Sequence, residues 1–313
     1  MQRRISLYAP RVLYPVTVTR REWAASLAAT AIAGAQAPKP KVIDAHNHLN
    51  YRSRPSWRDD DRKLIEAADK LGIDQLCCSI LPPERPTSLT GFRNCNKWLV
   101  EAIKRFPGRV LGYCFVNPGY QKEAVEEIKR YAGDHGFMGV KLYNDYRITE
   151  PVVRPILELC ANLKIPILHH AGHTTWLPAP QPRISDAGHI AEAARLYPDT
   201  TIICAHICGG GDWEWSIKAL RDAKSVYFDT SGSVIDEGTV EMAVKVLGAD
   251  RVLFACDMSM TASVGRLRGA EISESDRAKL FGANMQRILN RTAGTLACRV
   301  ETRLDASYPG AQV

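Results

Sequence analysis

Eight short apolar runs, segments of helical spacing between them, and polar or glycine-containing residues at the end of each run predict an α/β chain. The fold they imply is one (β/α)8 TIM barrel, a single catalytic domain over residues 38–290. The runs are "VIDAHNHL" (42–49), "IDQLCCSIL" (73–81), "VLGYCFVNP" (110–118) and "GFMGVKLY" (136–143). "PILHHAG" (166–172), "TIICAHIC" (201–208), "VYFDTSG" (226–232) and "VLFACDMS" (252–259) complete the count. Between them "DRKLIEAADKLG", "NKWLVEAIKRF", "KEAVEEIKRYAG" and "AEAARLY" space apolar side chains as one face of a helix does. A doubly wound open sheet is the alternative. It usually carries fewer strands, and no glycine-rich phosphate fingerprint follows the first run.

The first run raises the question of function. Asp44, His46 and His48 stand two positions apart, and alternate residues of a strand face the same way. The three are therefore expected on one face. Further along, Lys141 lies in the fourth run, His169 and His170 in the fifth, His206 in the sixth and Asp257 in the eighth. A barrel brings such strand ends together around one axis. Imidazoles, a carboxylate and an amine at one mouth are donors suited to a divalent cation of borderline softness. A lone strand histidine is more often a hydrogen-bonded core residue; the coincidence across four strand ends carries the metal reading. His169 and His170 are adjacent and cannot both enter the barrel. His170, followed by Ala171 and Gly172, has room to approach a metal and is selected.

Composition bounds the rest. A chain of 313 residues, 45% hydrophobic and 24% charged, can bury a large core. The net charge of +7 is unevenly placed, because five arginines against Glu22 put more than half of it in the first 37 residues. The remainder is too weakly basic to indicate a nucleic-acid partner. "TRREWAASLAATAIAGAQAP" has an arginine pair, an apolar stretch and small residues before Pro38. That order is expected of a twin-arginine export signal over 1–37, cleaved near Ala37, with a start near Val18 as one option. The stretch is too short and too alanine-rich for stable membrane insertion. Export would place the protein in the periplasm or outside the cell; without the signal it would be cytoplasmic. Nine cysteines with no CxxC support neither a disulfide framework nor a thiolate metal site.

From Lys41 to about Asn290 the chain resembles the amidohydrolase superfamily, in its amidohydrolase-related branch that includes aminocarboxymuconate semialdehyde decarboxylase. "DAHNH" (44–48), "GVKLY" (139–143), "PILHHAG" (166–172), "AHICGG" (205–210) and "LFACDMS" (253–259) carry the resemblance, with "RFPGRVLGYCFVNP" (105–118) and "SESDRAKLFGANMQRIL" (273–289). It implies one divalent metal, zinc first and manganese second, held by His46, His48, His170 and Asp257. It makes His206 a catalytic histidine and Asp257 the general base as well as a ligand. Lys141 is left between a carbamylated bridge, a partner for an anionic substrate and a rim lysine with a buried stem. Met258 stands where the family commonly has an aromatic.

Such a site activates water for hydrolysis of an ester, lactone or amide in a small carboxylated molecule, which is the reading placed first. Non-oxidative decarboxylation on the same metal is the alternative, and a barrel that binds without turnover a third class. Arg52 and Arg54 could hold a carboxylate and Trp176 could wall the pocket, although solvated arginines and ordinary packing explain them equally. Asp59, Asp60 and Asp61 are expected at a helix start, where they complement the dipole. The partner is a small-molecule substrate, with a homodimer left open. Residues 291–313 show no periodicity and are expected to be a mobile tail.

Overall fold

All eight apolar runs form strands: β1 (Ile43–Leu49), β2 (Gln75–Ile80), β3 (Val110–Phe115), β4 (Gly139–Leu142), β5 (Ile167–His169), β6 (Ile202–Cys204), β7 (Val226–Asp229) and β8 (Val252–Leu253). The structure is a computed structural model that describes residues 40–50, 55–81, 84–172, 181–208, 212–232, 234 and 236–306, with side chains to residue 295. The expected export segment, Arg52, Arg54 and Trp176 lie outside the described residues. The strands run parallel in the order β1 to β8. Ala45 N–H donates to Phe254 O (2.9 Å) and Asp257 N–H to His46 O (2.7 Å), which ties the first strand to the end of the eighth and closes the barrel. Helices such as α1 (Trp57–Leu71), α2 (Leu89–Arg105) and α3 (Gln121–Asp134) follow their strands, as right-handed parallel crossovers require.

Alternation along the strands divides the core in two. Ile43, Ala45, Cys77, Tyr113, Leu168, Ile203, Leu253 and Ala255 fill the barrel interior. Leu49, Cys78, Cys114, Val140, Ile167, Cys204 and Phe254 pack outward against the helices. Strand β1 breaks the alternation once. Its register against β2 shifts between Asp44 and Asn47, a β-bulge. Ile43 and Ala45 face inward ahead of the bulge, and the extra residue lets His46 and His48 follow them. The expectation that Asp44 shares their face therefore fails. Its carboxylate accepts from the backbone N–H of His46 (3.1 Å) and Cys256 (2.9 Å) and from Asn47 Nδ2 (2.6 Å), which staples the bulge to the eighth strand's end. Burial pushes Asp44 up to about 7 against those bonds.

Of the expected tail at 291–313, residues 307–313 lie outside the described residues and residues 291–306 are helical. A helix runs from Asn284 to Ala306, and Met285 and Ile288 insert into the barrel interior. Arg291 donates to Tyr227 Oη (2.9 Å) and Thr292 Oγ1 to Lys164 O (3.1 Å), so the helix is held to the barrel's base past residue 290. The inward positions all precede residue 291, which is why the segment beyond it lacks a pattern of its own.

A π-helical turn, Lys279–Ala283, precedes this helix, and Phe254 N–H donates to Leu280 O (3.0 Å). Gly282 sits so close to β1 that a Cβ would lie 1.8 Å from Lys41 O. Only glycine fits without moving backbone on one side or the other. Gly282→Ala is expected to lower stability by about 2–3 kcal/mol, read as an earlier midpoint in urea unfolding. An unchanged midpoint would show that this contact does not govern closure.

Candidate metal centre

The strand ends gather four imidazoles and a carboxylate at one mouth. His46 Nε2, His48 Nε2 and Asp257 Oδ1 form a triangle with edges of 3.3, 3.2 and 3.7 Å. Two N or O ligands about 2.1 Å from a tetrahedral ion stand roughly 3.4 Å apart, so these edges fit one face of a coordination shell. His46, His206 and Asp257 make a second triangle, with ligand atoms all within 4.8 Å of one another. The two triangles share the His46–Asp257 edge. His206, expected to act beside the metal, is thus as near as the expected ligands. His170, expected as a ligand, reaches the group through His206, with Nδ1 2.7 Å from His206 Nε2. His169 turns the other way, its Nδ1 donating to His170 O (2.7 Å) and its Nε2 3.3 Å from Ser185 Oγ.

One residue absent from the sequence reading organises this cluster. Asp229, fully buried at the end of β7, accepts from His46 Nδ1 (2.8 Å), His206 N–H (2.9 Å), Ser231 N–H (2.9 Å) and Ser231 Oγ (2.7 Å). Burial alone would raise its pKa, but the adjacent His46 and these donors pull it down to about 2. An anionic Asp229 fixes the proton of His46 on Nδ1 and leaves Nε2 unprotonated toward the cluster. Ser79 Oγ stands 3.0 Å from His48 Nδ1 and can do the same there. An acid in a strand-ending "FDTS" was the available signal for Asp229, though its partner His46 is 183 positions away.

Backbone conformation completes the arrangement. His206 and Asp257 take φ of 68° and 43°, and Ile207 and Met258 follow at 50° and 69°. Non-glycine residues in that region cost about 1–3 kcal/mol each and gather at functional sites. Gly232 lets β7's exit pass beneath His206, since a Cβ there would meet His206 O at 2.7 Å.

Burial lowers His48 to about 4 and His206 to about 3, and lowers His170 well below its ordinary value. All three are neutral at pH 7 and can offer lone pairs. Asp257 is held well below the usual carboxylate range, burial being outweighed by His46, His48 and His206 around it. Lys141 Nζ lies 3.0 Å from His46 Nε2 and is fully buried, so the rim-lysine reading fails; burial lowers its pKa to about 7. Asp59 and Asp60 lie in the first turn of α1 as expected. Asp61 instead accepts from Asn50 N–H (3.0 Å) and pairs with Arg105 (3.2 Å), away from the cluster.

A family model described as amidohydrolase matches residues 43–291. Among curated proteins no sequence matches the chain. The fold is similar to that of a manganese-bound dihydroxybenzoic acid decarboxylase from Polaromonas sp., at 19% identity and TM-score 0.66, covering 80% of this chain and 97% of that one. It is similar to 5-carboxyvanillate decarboxylase from Sphingomonas paucimobilis at 17% identity and TM-score 0.64, covering 80% and 99%. It is also similar to 4-oxalomesaconate hydratase from Rhodopseudomonas palustris at 17% identity and TM-score 0.61, covering 84% and 99%. With the neutral imidazoles and the carboxylate already described, the mouth of the barrel is a site for one divalent metal.

If Asp229 aligns His46, removing its charge should weaken the metal before it weakens the fold. Asp229→Asn is expected to lose about 10–100-fold in metal affinity, measured by competition with a fluorescent chelator on protein of native circular dichroism. Affinity within twofold of wild type would contradict the assignment.

Proposed function

The chain belongs to the amidohydrolase family, and from that premise we propose a metal-dependent, non-oxidative decarboxylase of a small aromatic or conjugated carboxylic acid. The ligand triangle of His46, His48 and Asp257 carries the metal part of the reading, with His206 and His170 behind it. The carboxy-lyase part draws support from the names of similar barrels, several of which are decarboxylases. This reverses the order of the sequence reading, which placed hydrolysis first. Manganese comes ahead of zinc for the same reason, since similar decarboxylases hold it.

When bound, the ion supplies a Lewis acid that orients the substrate's oxygens and draws charge from them. The chain does the rest. Loss of carbon dioxide from a carboxylate leaves an electron pair on carbon, which must receive one proton. Asp257 Oδ2 lies 3.3 Å from His206 Nδ1, and the Asp257 side chain is 28% exposed where the other members are buried. Both groups rest unprotonated at neutral pH, so the proton comes from the substrate or from water and passes along this pair to the carbon. His206 is held for that task by Ser231 Oγ at 3.2 Å from Nδ1 and by its own N–H on Asp229. Lys141, inside the cluster with its pKa lowered by burial to about 7, donates a hydrogen bond to the oxygens the substrate retains and forms no bridge.

Hydrolysis or hydration stays as the second reading, because the same Asp257–His206 pair can take a proton from water, and one similar barrel is a hydratase. The two separate in one experiment. Manganese-loaded protein is offered hydroxybenzoates, conjugated dicarboxylic acids and carboxylated lactones, in water enriched in heavy oxygen. The proposal predicts carbon dioxide release with one solvent hydrogen on the product carbon and no heavy oxygen incorporated. His206→Asn should keep its metal and lose about 10²–10⁴-fold in turnover. Heavy oxygen in the product without carbon dioxide would overturn the carboxy-lyase reading in favour of water addition.

A further inference from the structure

Two donor groups beside the metal centre are not used by the mechanism above. Arg85 follows β2 on the catalytic side of the barrel, half-buried, with its guanidinium carbon 3.5 Å from the centroid of the Tyr143 ring. It makes no hydrogen bond and no ion pair with any described residue. Tyr143 follows β4, is 1% exposed, and its hydroxyl is buried beside Ser79 without a hydrogen bond of full geometry to any described residue. A buried phenol hydroxyl is unfavourable unless something satisfies it, and a half-buried guanidinium with no acceptor among the described residues keeps its donors available.

Their position says what that something touches. The Tyr143 ring stacks 6.3 Å from His48 and lies 5.8 Å from His170, with Lys141 Nζ 4.8 Å from its centroid. The pair is therefore continuous with the ligand cluster. Stacking occupies one face of the guanidinium and leaves its edge, where the N–H donors lie, for a bidentate acceptor. Asp145 lies within electrostatic reach of Arg85, but no ion pair to Arg85 forms among the described residues.

We infer that Arg85 and Tyr143 form an anion subsite that anchors a second, non-reacting carboxylate of a planar substrate. The reacting carboxylate is the wrong occupant, because an ion pair to a group that loses its charge stabilises the ground state more than the transition state. The substrate class is then a planar acid with two anionic groups, one at the metal and one on the Arg85 edge. The inference deepens the proposed function and rests on it for which carboxylate departs, but the subsite itself can be tested by binding alone.

Calorimetric titration of the manganese-loaded protein would compare isophthalate and terephthalate with benzoate. The better dicarboxylate should bind wild type at least about tenfold tighter than benzoate, the scale of one charge-assisted pair. Arg85→Gln should remove that preference while leaving benzoate affinity and metal content within about threefold. Arg85→Lys should recover part of it, and Tyr143→Phe should lose about fivefold for the dicarboxylate only. Equal or absent binding of dicarboxylates and benzoate by wild type overturns the subsite, as does a preference that survives in Arg85→Gln. A preference that depends on Arg85 in a protein that releases no carbon dioxide supports the subsite and removes the decarboxylase reading instead.

Discussion

The centre depends on one buried carboxylate. Asp229 takes hydrogen bonds from a ring nitrogen of β1, a backbone N–H beyond β6, and a backbone and a side-chain donor beyond its own strand. Inside a barrel an isolated carboxylate is strongly disfavoured, and four donors make it acceptable. The result is an anion stable enough to have a pKa near 2, which fixes the tautomer of His46 and the path of the chain at His206. If the anion were lost, His46 could turn its proton toward the metal and the left-handed backbone at His206 would lose its anchor.

That anchor explains why strained backbone persists here. The chain turns sharply after β6 and β8, through positive φ at His206 and Asp257, so that each side chain points across the mouth rather than along its strand. The bulge in β1 does the same work earlier in the chain, turning His46 inward after Ala45. Asp44 and Asp229 are thus a pair of buried acids with different duties. Asp44 holds backbone to backbone between the first and eighth strands, and Asp229 holds backbone to a ligand. Both are shut off from solvent.

Much of this was legible in the sequence because it follows from periodicity. Each apolar run became a strand, and the adjacent His169 and His170 turn to different sides, His169 to Ser185 and His170 to His206. The parity argument failed at Asp44, where a bulge inserts a residue that no alternation pattern can announce. Asp229 and Arg85 were missed for another reason. Each is one charged residue near a strand end, and its meaning comes from partners that only the closed barrel supplies, His46 for one and Tyr143 for the other. The final helix was cut short because its informative residues, Met285 and Ile288, precede the polar stretch that hid its continuation.

The central claim is that His46, His48 and Asp257 present one face to a divalent metal. X-ray absorption at the metal edge, on protein reconstituted with one equivalent of manganese or zinc, tests it most directly. The account predicts a shell of nitrogen and oxygen only, with imidazole scattering in wild type that falls by two rings, together with most of the bound metal, in His46→Ala/His48→Ala. An unchanged shell and full metal content in that folded double variant would contradict it.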